Sequence, residues 1–466
     1  MNGSDLHRLD VFIGSDRKIA TIAIPVGSDT EISWVYKSSW LKDGFPVSPH
    51  LPFHQVLDPR SVRNFLQNLL PEGQGLEDIT SNTTISKNNT FGLIRIIGEE
   101  TSGALSFRSP DKEPMPTSFR PVSDAELADK LQIHQAVGSS ITYWDGRTRL
   151  SVAGVQDKLN FLEHDGQLGF GEGKLCSNKI FKFESGKVPF IAANELFTML
   201  LARNAGIDVP NVEIRSYGDI RAFVIERFDR RYLSDRNEVQ RRHIIDGCQA
   251  TNLPPSYKYE RQYGDEGDGK FIRDGVSFLK LFAVKTNNDD VYRLKLLQWM
   301  TFNILTQNYD AHGKNISFFV SKRGLELTPF YDLVNIGAII TEIQKRQNDQ
   351  GIVKEDRNHS ISQHYAMSIG SFEPGSIGHF QNPITAYMLA DFATQFGISL
   401  PRIQLVMSQF TNSVLASIDI SRQEACEFNL TAEEVEHIEL CIMIIRQAAD
   451  ELLHEITQIS DMLDLV

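Results

Sequence analysis

The segment QNYDAHGKN, residues 307–315, places acidic, basic and amide side chains together directly after a long apolar stretch. Asp310 and Asn315 stand in the pattern D-x-x-x-x-N, and a second aspartate, Asp332, follows the sequence LTPFY. Phosphoryl transfer needs a carboxylate near the acceptor hydroxyl, metal ions on the phosphates and a lysine that contacts those phosphates. Mg²⁺ takes one or two carboxylates together with phosphate oxygens and water. These residue types therefore favour magnesium-dependent phosphoryl transfer.

The interval between Asp310 and Asn315 is the one that separates the catalytic aspartate of protein kinases from a metal-binding asparagine. In those enzymes a second metal-binding aspartate comes later, in the place that Asp332 takes here. An Asp or Asn in a loop is also an ordinary turn former or helix cap. His312 is open to two further interpretations, as a structural histidine or as a metal ligand in a D-x-H pair with Asp310.

The lysine that this chemistry needs is Lys182, in the predicted strand KIFKFES. Side chains alternate along a strand, so Lys182 points away from the two flanking phenylalanines. Glu195 lies on the following predicted helix, as does the glutamate that pairs with a kinase lysine. A solvated strand lysine is the alternative. The next strand, AFVIERFD, leads into a linker whose backbone groups suit an adenine edge.

The glycine-rich segment GQLGFGEGK, residues 166–174, does not fit a phosphate-binding pattern, and we interpret it as a flexible hairpin tip. The sequence RLSVAGVQDK, residues 149–158, is the better candidate for the phosphate loop. It precedes the first strand of the lobe with small residues and one glycine. By its chemistry alone this segment is a weak signal.

The elements that must position these residues change character along the chain. Short β-branched and aromatic runs predict strands in residues 1–120, followed by a helix that Asp58 caps and Pro59 opens. A proline- and serine-rich segment, SPDKEPMPTSFRPV, predicts a boundary near residue 120, and strands dominate residues 121–230. Residues 231–466 are mostly helical, with a central buried helix predicted in VYRLKLLQWMTFNILTQ, short strands predicted in ISFFV and LTPFY, and a polar surface loop near 342–360. A small sheet lobe before a large helical lobe is the layout of a protein kinase.

Composition limits the other possibilities. The chain has 466 residues, 41% of them hydrophobic, so we expect more than one packed unit. The net charge of −13 argues against direct binding to nucleic acid, which requires clustered lysine and arginine, and favours a basic partner. Four scattered cysteines, no secretory signal at the N-terminus and no apolar run of about 20 residues predict a cytoplasmic protein without membrane contact.

Several motifs together resemble the HipA family of serine/threonine kinases, the toxins of bacterial HipBA-type toxin–antitoxin modules. The resemblance covers about residues 8–420, and the N-terminal part is similar to that family's own N-terminal subdomain. The motifs that carry it are, in chain order, NFLQNLLPEG, FGLIRIIGEETSGALSF, RLSVAGVQDK, FKF, NE, GIDVPNVEI, AFVIERFDRR, CQATNLPPSYKYE, NYDAHGKN and LTPFYDLV.

The resemblance implies an α+β, bilobal protein-kinase-like (HipA-like) fold with ATP in the cleft. Its domains would be an N-terminal α+β subdomain (1–120), a kinase N-lobe with phosphate loop and hinge (121–230) and a helical C-lobe (231–466). Asp310 would be the catalytic base, with Asn315 and Asp332 on Mg²⁺. The residues assigned to ATP are Ser151, Val152, Ala153, Gly154, Val155, Lys182, Glu226, Phe228, His312 and Lys314, with Glu226 and Phe228 at the adenine-binding hinge.

The same resemblance implies regulation and partners. Ser151 matches a serine that family members autophosphorylate, after which the loop leaves the cleft and activity falls; the alternative for Ser151 is a turn hydroxyl. The implied protein substrate is an aminoacyl-tRNA synthetase. The implied partner is a helix-turn-helix antitoxin (HipB-like), through which alone DNA would be contacted.

Two other function classes stay open on the sequence. One is a catalytically silent kinase fold that serves as a corepressor or scaffold with its antitoxin. The other is a metal hydrolase that uses Asp310 and His312, for which the sequence offers no further histidine ligands at the spacing of a zinc site.

Overall fold

The computed structural model describes residues 6–14, 16–81, 83–98, 101–138, 140–145, 147–148, 158–184, 188–264, 268–351, 361–371 and 384–466. The chain divides into two compact units. The first unit comprises Met1–Ser185, Arg215–Pro255 and Ser317–Thr328. The second unit comprises Gly186–Ile214, Ser256–Ile316 and Pro329–Val466.

Among the described residues, the strands lie in the first unit, except that the division between the units falls within β11. In chain order the strands are β1 Leu6–Ile13, β2 Arg17–Pro25, β3 Ser33–Tyr36, β4 Leu105–Arg108, β5 Ser118–Pro121, β6 Tyr143–Trp144, β7 Arg147–Thr148, β8 Lys158–His164, β9 Gln167–Glu172, β10 Lys179–Phe183, β11 Val212–Tyr217, β12 Ile220–Glu226, β13 Arg230–Leu233, β14 Glu238–Arg241, β15 Ile244–Asp246, β16 Ser317–Ser321 and β17 Gly324–Leu327.

The helices are shared between the units, with α1–α5 and α7 in the first and the others in the second. In chain order they are α1 Ser38–Asp43, α2 Pro59–Gln67, α3 Gly73–Ser81, α4 Thr90–Ile97, α5 Asp124–Val137, α6 Ile191–Asn204, α7 Gly247–Ala250, α8 Phe278–Phe282, α9 Asp289–Leu305, α10 Ile336–Asp349, α11 Ala386–Gln395, α12 Leu400–Cys426 and α13 Ala432–Gln458. None of the helices in the described part of the chain has the length and apolarity needed to span a bilayer.

The first unit contains a four-stranded antiparallel sheet in the order β3-β2-β1-β4 and a six-stranded sheet in the order β11-β12-β10-β8-β9-β5. Aromatic side chains fill the core on the larger sheet, where the Phe161 ring lies 5.0 Å from both Phe170 and Phe181. The predicted alternation in β10 is confirmed, since Phe181 and Phe183 are buried whereas Lys182 is half-buried. The sequence therefore places Lys182 on the less buried face of a central strand.

The proline- and serine-rich segment contains β5, which pairs with β9 at the edge of the six-stranded sheet, and the domain boundary near residue 120 stays a prediction. One sequence interpretation in this region needs correction: the glycine-rich segment is not a flexible hairpin tip, because most of it is β9, paired on both sides. Packing requires Gly169, Gly171 and Gly173: a Cβ on Gly169, for example, would lie 2.3 Å from the carbonyl oxygen of Arg120.

A buried charge cluster fixes the chain directly after β12. The Asp229 carboxylate accepts two hydrogen bonds from Arg227, at 2.9 and 2.8 Å, and one from Arg230 at 2.9 Å. It also accepts the backbone N–H of Gly103 at 3.0 Å. Burial raises the pKa of Asp229, but the two arginines outweigh that effect and hold the pKa below its usual value. The cluster therefore stays ionised inside the first unit.

The same cluster ties the end of the N-terminal region to the segment after β12. Arg230 donates to the carbonyl oxygens of Thr101 and Gly103, and Arg241 donates to the same two carbonyls and to that of Leu105. Gly103 has φ +70°, and a Cβ there would lie 2.9 Å from the backbone nitrogen of Ile244. Only glycine fits this conformation and this close approach.

The second unit is a helical assembly in which α6 is central. Its residues 192–202 are buried without interruption, and it packs against α12 and α13. Inside the unit, the Asn194 amide on α6 forms two reciprocal hydrogen bonds with the backbone of Asn335, at 2.9 and 2.8 Å. The Asn335 side chain in turn accepts from the N–H of Ala338 and caps α10. A buried polar group needs such partners, so this pair fixes the entry to α10.

The predicted buried helix is confirmed as α9, whose C-terminal half is buried on nearly all sides. Two expectations about its surroundings were inaccurate. The second strand after the 307–315 loop is Gly324–Leu327, so LTPFY begins as that strand ends and continues without regular structure. The polar segment near 342–360 is also not entirely loop, since α10 extends to Asp349; residues 352–360 lie outside the described residues.

We predict that His243 makes the stability of the first unit depend on pH. Its ring nitrogen Nε2 bonds the carbonyl oxygen of Val47 at 2.8 Å, and burial lowers its pKa from 6.5 to about 4. Because the folded-state pKa lies below the unfolded value, protonation of His243 favours the unfolded chain. The stability that neutral His243 contributes is therefore complete above pH 6.5 and is lost as the pH falls toward 4. The free energy of unfolding should fall by about 2 kcal/mol between pH 7 and pH 5.

The measurement is urea unfolding followed by tryptophan fluorescence in a Trp299→Phe background, in which every remaining tryptophan lies in the first unit. His243→Gln keeps a hydrogen-bond donor but does not titrate, so this variant should show a smaller loss over the same pH range. An unchanged loss in His243→Gln would contradict the assignment.

Candidate active site

The loop that carries Asp310 begins at a helix end of defined geometry. After α9 the chain reverses at Gln307, which has φ +47°. The Gln307 N–H donates to the carbonyl of Ile304 at 3.1 Å, and the Asn308 N–H donates to that of Asn303 at 2.9 Å. This is the Schellman hydrogen-bond pattern with glutamine where glycine is usual. Because α9 is buried, the start of the loop is held in place.

Asn308 links three parts of this loop. Its side-chain NH₂ donates to the Oδ1 atom of Asn303 at 2.9 Å and approaches the carbonyl oxygen of Asp332 at 3.5 Å. Its Oδ1 atom accepts the backbone N–H of Asp310 at 3.3 Å. One buried amide therefore connects the end of α9, the backbone of Asp310 and the backbone of Asp332.

Asn315 and Asp332 converge, as the kinase pattern predicts for two ligands of one metal ion. The Asn315 Nδ2 atom donates to the Asp332 Oδ2 atom at 3.3 Å, and Asn315 Oδ1 accepts the backbone N–H of His312 at 3.3 Å. Asp332 has φ +55°, a left-handed conformation that aspartate tolerates better than most residues. Such conformations cluster at functional sites, where the surroundings hold them.

The backbone on both sides of Asp332 is fixed within the second unit. Before it, the Tyr331 hydroxyl donates to the carbonyl of Lys314 at 2.7 Å. After it comes Asn335, whose backbone is bonded to Asn194 on α6. The segment 330–335 is therefore joined both to the 307–315 loop and to a buried helix.

The donor set formed by Asn315 and Asp332 fits Mg²⁺. It offers one carboxylate and one amide oxygen, and Mg²⁺ prefers oxygen ligands from a small number of protein groups. The Asn315 Oδ1 atom keeps a second lone pair beside the one bonded to His312. Among the described residues, no group of three or more His, Cys, Asp and Glu side chains has the arrangement of a metal site.

Asp310 is exposed at the surface of the second unit, and its carboxylate has one neighbour that the sequence analysis did not identify. The Tyr259 hydroxyl donates to Asp310 Oδ1 at 2.6 Å. An acceptor hydroxyl must approach a catalytic base within hydrogen-bond reach. The Tyr259 phenol thus makes the contact with Asp310 that a substrate hydroxyl would make.

His312, Lys314 and Gly313 form the middle of the loop. His312 is buried, and its ring lies edge-on to Tyr259 with 5.1 Å between the centroids. Lys314 is half-buried, and its carbonyl accepts from Tyr331. A Cβ on Gly313 would lie 2.6 Å from the side chain of Val276, so the backbone approaches its neighbour too closely for any other residue.

The residues assigned to the phosphates and the hinge lie in the first unit. Lys182 is in the middle of β10, in register with Phe223, and its Nζ atom lies 5.8 Å from the Phe223 ring centroid. Glu226 is exposed at the end of β12. Phe228 is half-buried, with its ring 5.9 Å from that of Phe319. Each is placed by a central strand or by the charge cluster that follows it.

Lys182 belongs to the first unit, whereas Glu195, 1% exposed on α6, belongs to the second. Their pairing stays a prediction. The candidate phosphate loop residues Ser151, Val152, Ala153, Gly154 and Val155 lie outside the described residues.

Sequence reasoning missed the residues that support the site. Tyr259 lies in SYKYE, a segment of the family resemblance to which no role was given, and nothing in its spacing pointed to Asp310. The Asn194–Asn335 pair was equally hidden, because its partners lie far apart in the chain. The only available signal was the unusual density of asparagine around α9 and LTPFYDLVN.

Comparison with known proteins agrees with this geometry. The model of the HipA N-terminal domain matches residues 9–108, and that of the HipA-like C-terminal domain matches residues 150–418. The chain is 39% identical over 406 residues to the serine/threonine-protein kinase toxin HipA of Shewanella oneidensis, covering 86% of each protein. It is 28% identical over 418 residues to the putative kinase Y4mE of Sinorhizobium fredii, covering 87% of this chain and 90% of the relative.

A solved structure gives the same result for the fold. The chain is similar to Shewanella oneidensis HipA in its complex with HipB and operator DNA, with a TM-score of 0.82 and 34% identity. The similarity covers 97% of this chain and 99% of that one. The predicted α+β, kinase-like fold is therefore confirmed, and the chain belongs to the HipA family of serine/threonine kinases.

Proposed function

We propose that this kinase is the toxin of a toxin–antitoxin module and that Asp310, Asn315 and Asp332 carry its phosphoryl transfer. The single observation that supports the site most strongly is the 3.3 Å contact between Asn315 and Asp332, within the loop framework that also holds Asp310. The family membership supports the reaction class. The relative from Shewanella is a kinase toxin by name.

In the proposed reaction, the oxygen of a serine or threonine hydroxyl attacks the γ-phosphorus of ATP. The bond from that phosphorus to the β–γ bridging oxygen breaks, and ADP leaves. The hydroxyl proton passes to the Asp310 carboxylate, which is exposed and therefore accessible to a protein substrate. Asp310 acts as the base because it is the one carboxylate at the tip of the loop.

Asn315 and Asp332 would hold Mg²⁺ through their amide and carboxylate oxygens. When bound, the ion neutralises charge on the β- and γ-phosphates. The protein's contribution is to keep the two ligands together before the ion arrives, through the bonds of Asn308, Tyr331 and Asn335 to their neighbours. Lys314 and His312, in the same loop, are proposed to contact the nucleotide.

For the nucleotide itself, we assign the phosphates to Lys182 and to the loop Ser151–Val155, and the adenine edge to the segment at Glu226 and Phe228. Arg227 and Asp229 alternate with these two residues and point into the buried cluster. The alternation leaves Glu226 exposed and Phe228 half-buried. An adenine-binding hinge needs this combination of a fixed backbone and backbone groups that the base can reach.

The proposed substrate is an aminoacyl-tRNA synthetase, and the proposed partner is a HipB-like helix-turn-helix antitoxin that carries the contact with DNA. A net charge of −13 suits a basic DNA-binding partner better than DNA itself. Phosphoproteomics after controlled expression, compared with expression of Asp310→Asn, identifies the substrate directly. Phosphorylation confined to proteins outside tRNA charging would contradict the substrate class.

The roles of Asp310 and Asp332 separate in kinetics. We expect Asp310→Asn to lower kcat for transfer from labelled ATP by about 10²–10⁴-fold, with an unchanged half-saturating Mg²⁺ concentration. Asp332→Asn should raise that Mg²⁺ concentration by about tenfold or more, and asparagine tolerates the positive φ. The control is Asp349→Asn, an exposed residue at the end of α10. Wild-type kinetics in Asp310→Asn would refute the assignment.

Tyr259 should compete with the substrate for Asp310. Because Tyr259→Phe removes the hydroxyl that occupies Asp310, we expect kcat/KM for the protein substrate to rise by up to about fivefold, the effect of a hydrogen bond worth about 1 kcal/mol. Tyr263→Phe, at a phenol that is 61% exposed, is the matched control. A fall in kcat/KM would show instead that the phenol supports the base.

Ser151 should be the site of self-modification. A phosphate adds charge and three acceptor oxygens to a short loop, which explains why such a loop would leave a phosphate-binding position. We expect Ser151→Ala to abolish label on the chain while transfer to the protein substrate continues for longer. Mass spectrometry locates the label, with exposed Ser39→Ala as the control. Persistent label elsewhere on the chain would count against the loop switch.

A further inference from the structure

A cavity of about 450 Å³ lies within the second unit, bordered by the end of α9, by α10 and by α13. Its volume is in the range of about 300–1,000 Å³ found for small-molecule sites. It is lined by Gln307 and Tyr309 but not by Asp310, Asn315 or Asp332. The cavity is therefore separate from the proposed active site, although it shares the 307–315 loop with it.

The charge of the cavity wall is negative. Glu451 and Glu455 contribute carboxylates from successive turns of α13. Glu451 accepts from Gln447 at 3.0 Å, and Glu455 accepts from the backbone N–H of Ala386 at 2.8 Å. Among the described lining residues there is no lysine or arginine. Neither carboxylate thus has a cationic partner within the described part of the chain.

Aromatic rings form a second part of the wall. Tyr309 and Tyr365 lie with their ring centroids 4.9 Å apart at an interplanar angle of 56°. Burial, followed by the charge of Glu451, raises the pKa of Tyr309 to about 12, and burial with the neighbouring Tyr309 and Glu451 raises that of Tyr365. Both phenols therefore stay protonated, and a cation over a tyrosine ring is attracted by its negative face.

The remaining lining consists of side-chain amides, aliphatic groups, the Thr341 hydroxyl and the imidazole of His454, whose Nε2 atom lies 2.9 Å from the Gln458 amide nitrogen. Gln307, Gln344 and Gln363 supply hydrogen-bonding groups, whereas Ile304, Ile340 and Leu452 supply apolar surface. Carboxylates, tyrosine faces, amides and short aliphatic walls together suit a cationic head on a short hydrocarbon chain. They do not suit an anion such as a phosphate.

We propose that this cavity is a binding site for a small organic cation, an alkylguanidinium or alkylammonium group, with Glu451 and the pair Tyr309 and Tyr365 as its recognition elements. Glu455 adds charge at the same wall. Nothing in the proposed phosphoryl transfer requires such a ligand, so the site is an addition to the active site.

The cavity is connected to the base by the backbone. The carbonyl of Tyr309 accepts the N–H of Ala366 at 3.0 Å, so the two chain segments that carry the tyrosines are bonded to each other. Asp310 follows Tyr309 directly. A cation that draws the two rings together would hold the backbone at Asp310, and it would change the rate of phosphoryl transfer; this coupling rests on the proposed function.

Binding is tested first, independently of catalysis, by isothermal titration calorimetry on the full chain. The probe is n-butylguanidinium, and the comparison compound is N-butylurea, which has nearly the same shape without the charge. We expect butylguanidinium to bind about tenfold more tightly, which corresponds to about 1.4 kcal/mol, because the exposed Glu451 carboxylate and the tyrosine rings attract its charge and not the neutral urea. Equal affinities would overturn the proposal.

Variants then locate the site. Glu451→Gln should weaken butylguanidinium binding by about tenfold, while Glu436→Gln, exposed on the same helix outside the cavity, should leave it unchanged. Glu455→Gln keeps an acceptor for the Ala386 N–H, and it should weaken binding as well. Loss of affinity in Glu436→Gln, or none in Glu451→Gln, would contradict the location.

Coupling is measured separately from binding. Asp310→Asn should bind butylguanidinium as the wild type does, so the binding result does not depend on whether the proposed catalytic role of Asp310 is correct. In the wild type, label transfer from ATP should change on titration with butylguanidinium and not with N-butylurea. Binding without any change in transfer would support the site and refute the coupling.

Discussion

The hydrogen bond between Asn315 and Asp332 is the contact on which the active-site proposal depends, because it brings together two loops that are distant in sequence. Asp332 adopts a left-handed conformation, which costs on the order of 1 kcal/mol or more in isolation. That cost is tolerated because the neighbouring backbone is fixed at both ends, by Tyr331 on one side and by Asn335 on the other. The two proposed metal ligands are thus placed by their own hydrogen bond and by the buried amides and the phenol that fix the backbone around them.

In the first unit, a buried charge cluster rather than buried amides fixes the position of the backbone. Arg227, Asp229 and Arg230 are at most 5% exposed, and such a cluster is stable only if every group is paired. The pairing reaches back to the carbonyls of Thr101 and Gly103, which lie between α4 and β4 of the N-terminal region. The N-terminal region therefore helps to determine where the chain runs after β12. This gives a physical reason why the N-terminal and kinase regions occur in one chain.

Much of this architecture was predictable from local patterns. Alternation placed Lys182 on β10, the apolar length of α9 identified a buried helix, and Asp58 with Pro59 marked the start of α2. The errors came where tertiary pairing decides the structure. Strand β9 forms in a glycine-rich segment because its neighbours need the close approach, and no local propensity shows that. Tyr259 was missed for the same reason, since its contact with Asp310 joins residues far apart in the chain.

The 307–315 loop combines two requirements that conflict. The proposed catalysis needs Asp310 to be accessible to a protein substrate, whereas precise placement needs buried, fully bonded backbone. The chain meets both by alternating: Gln307 and Tyr309 face a cavity, Asn308 is buried and bonded on three sides, and Asp310 is exposed. Because Gln307 occupies a position where glycine is usual, its side chain adds contacts with α10 near Gly337, whose Cβ would meet it at 2.2 Å. The loop is therefore held by side chains on the face that lines the cavity, which is why the proposed cation would act through this loop on the residue exposed at the other face.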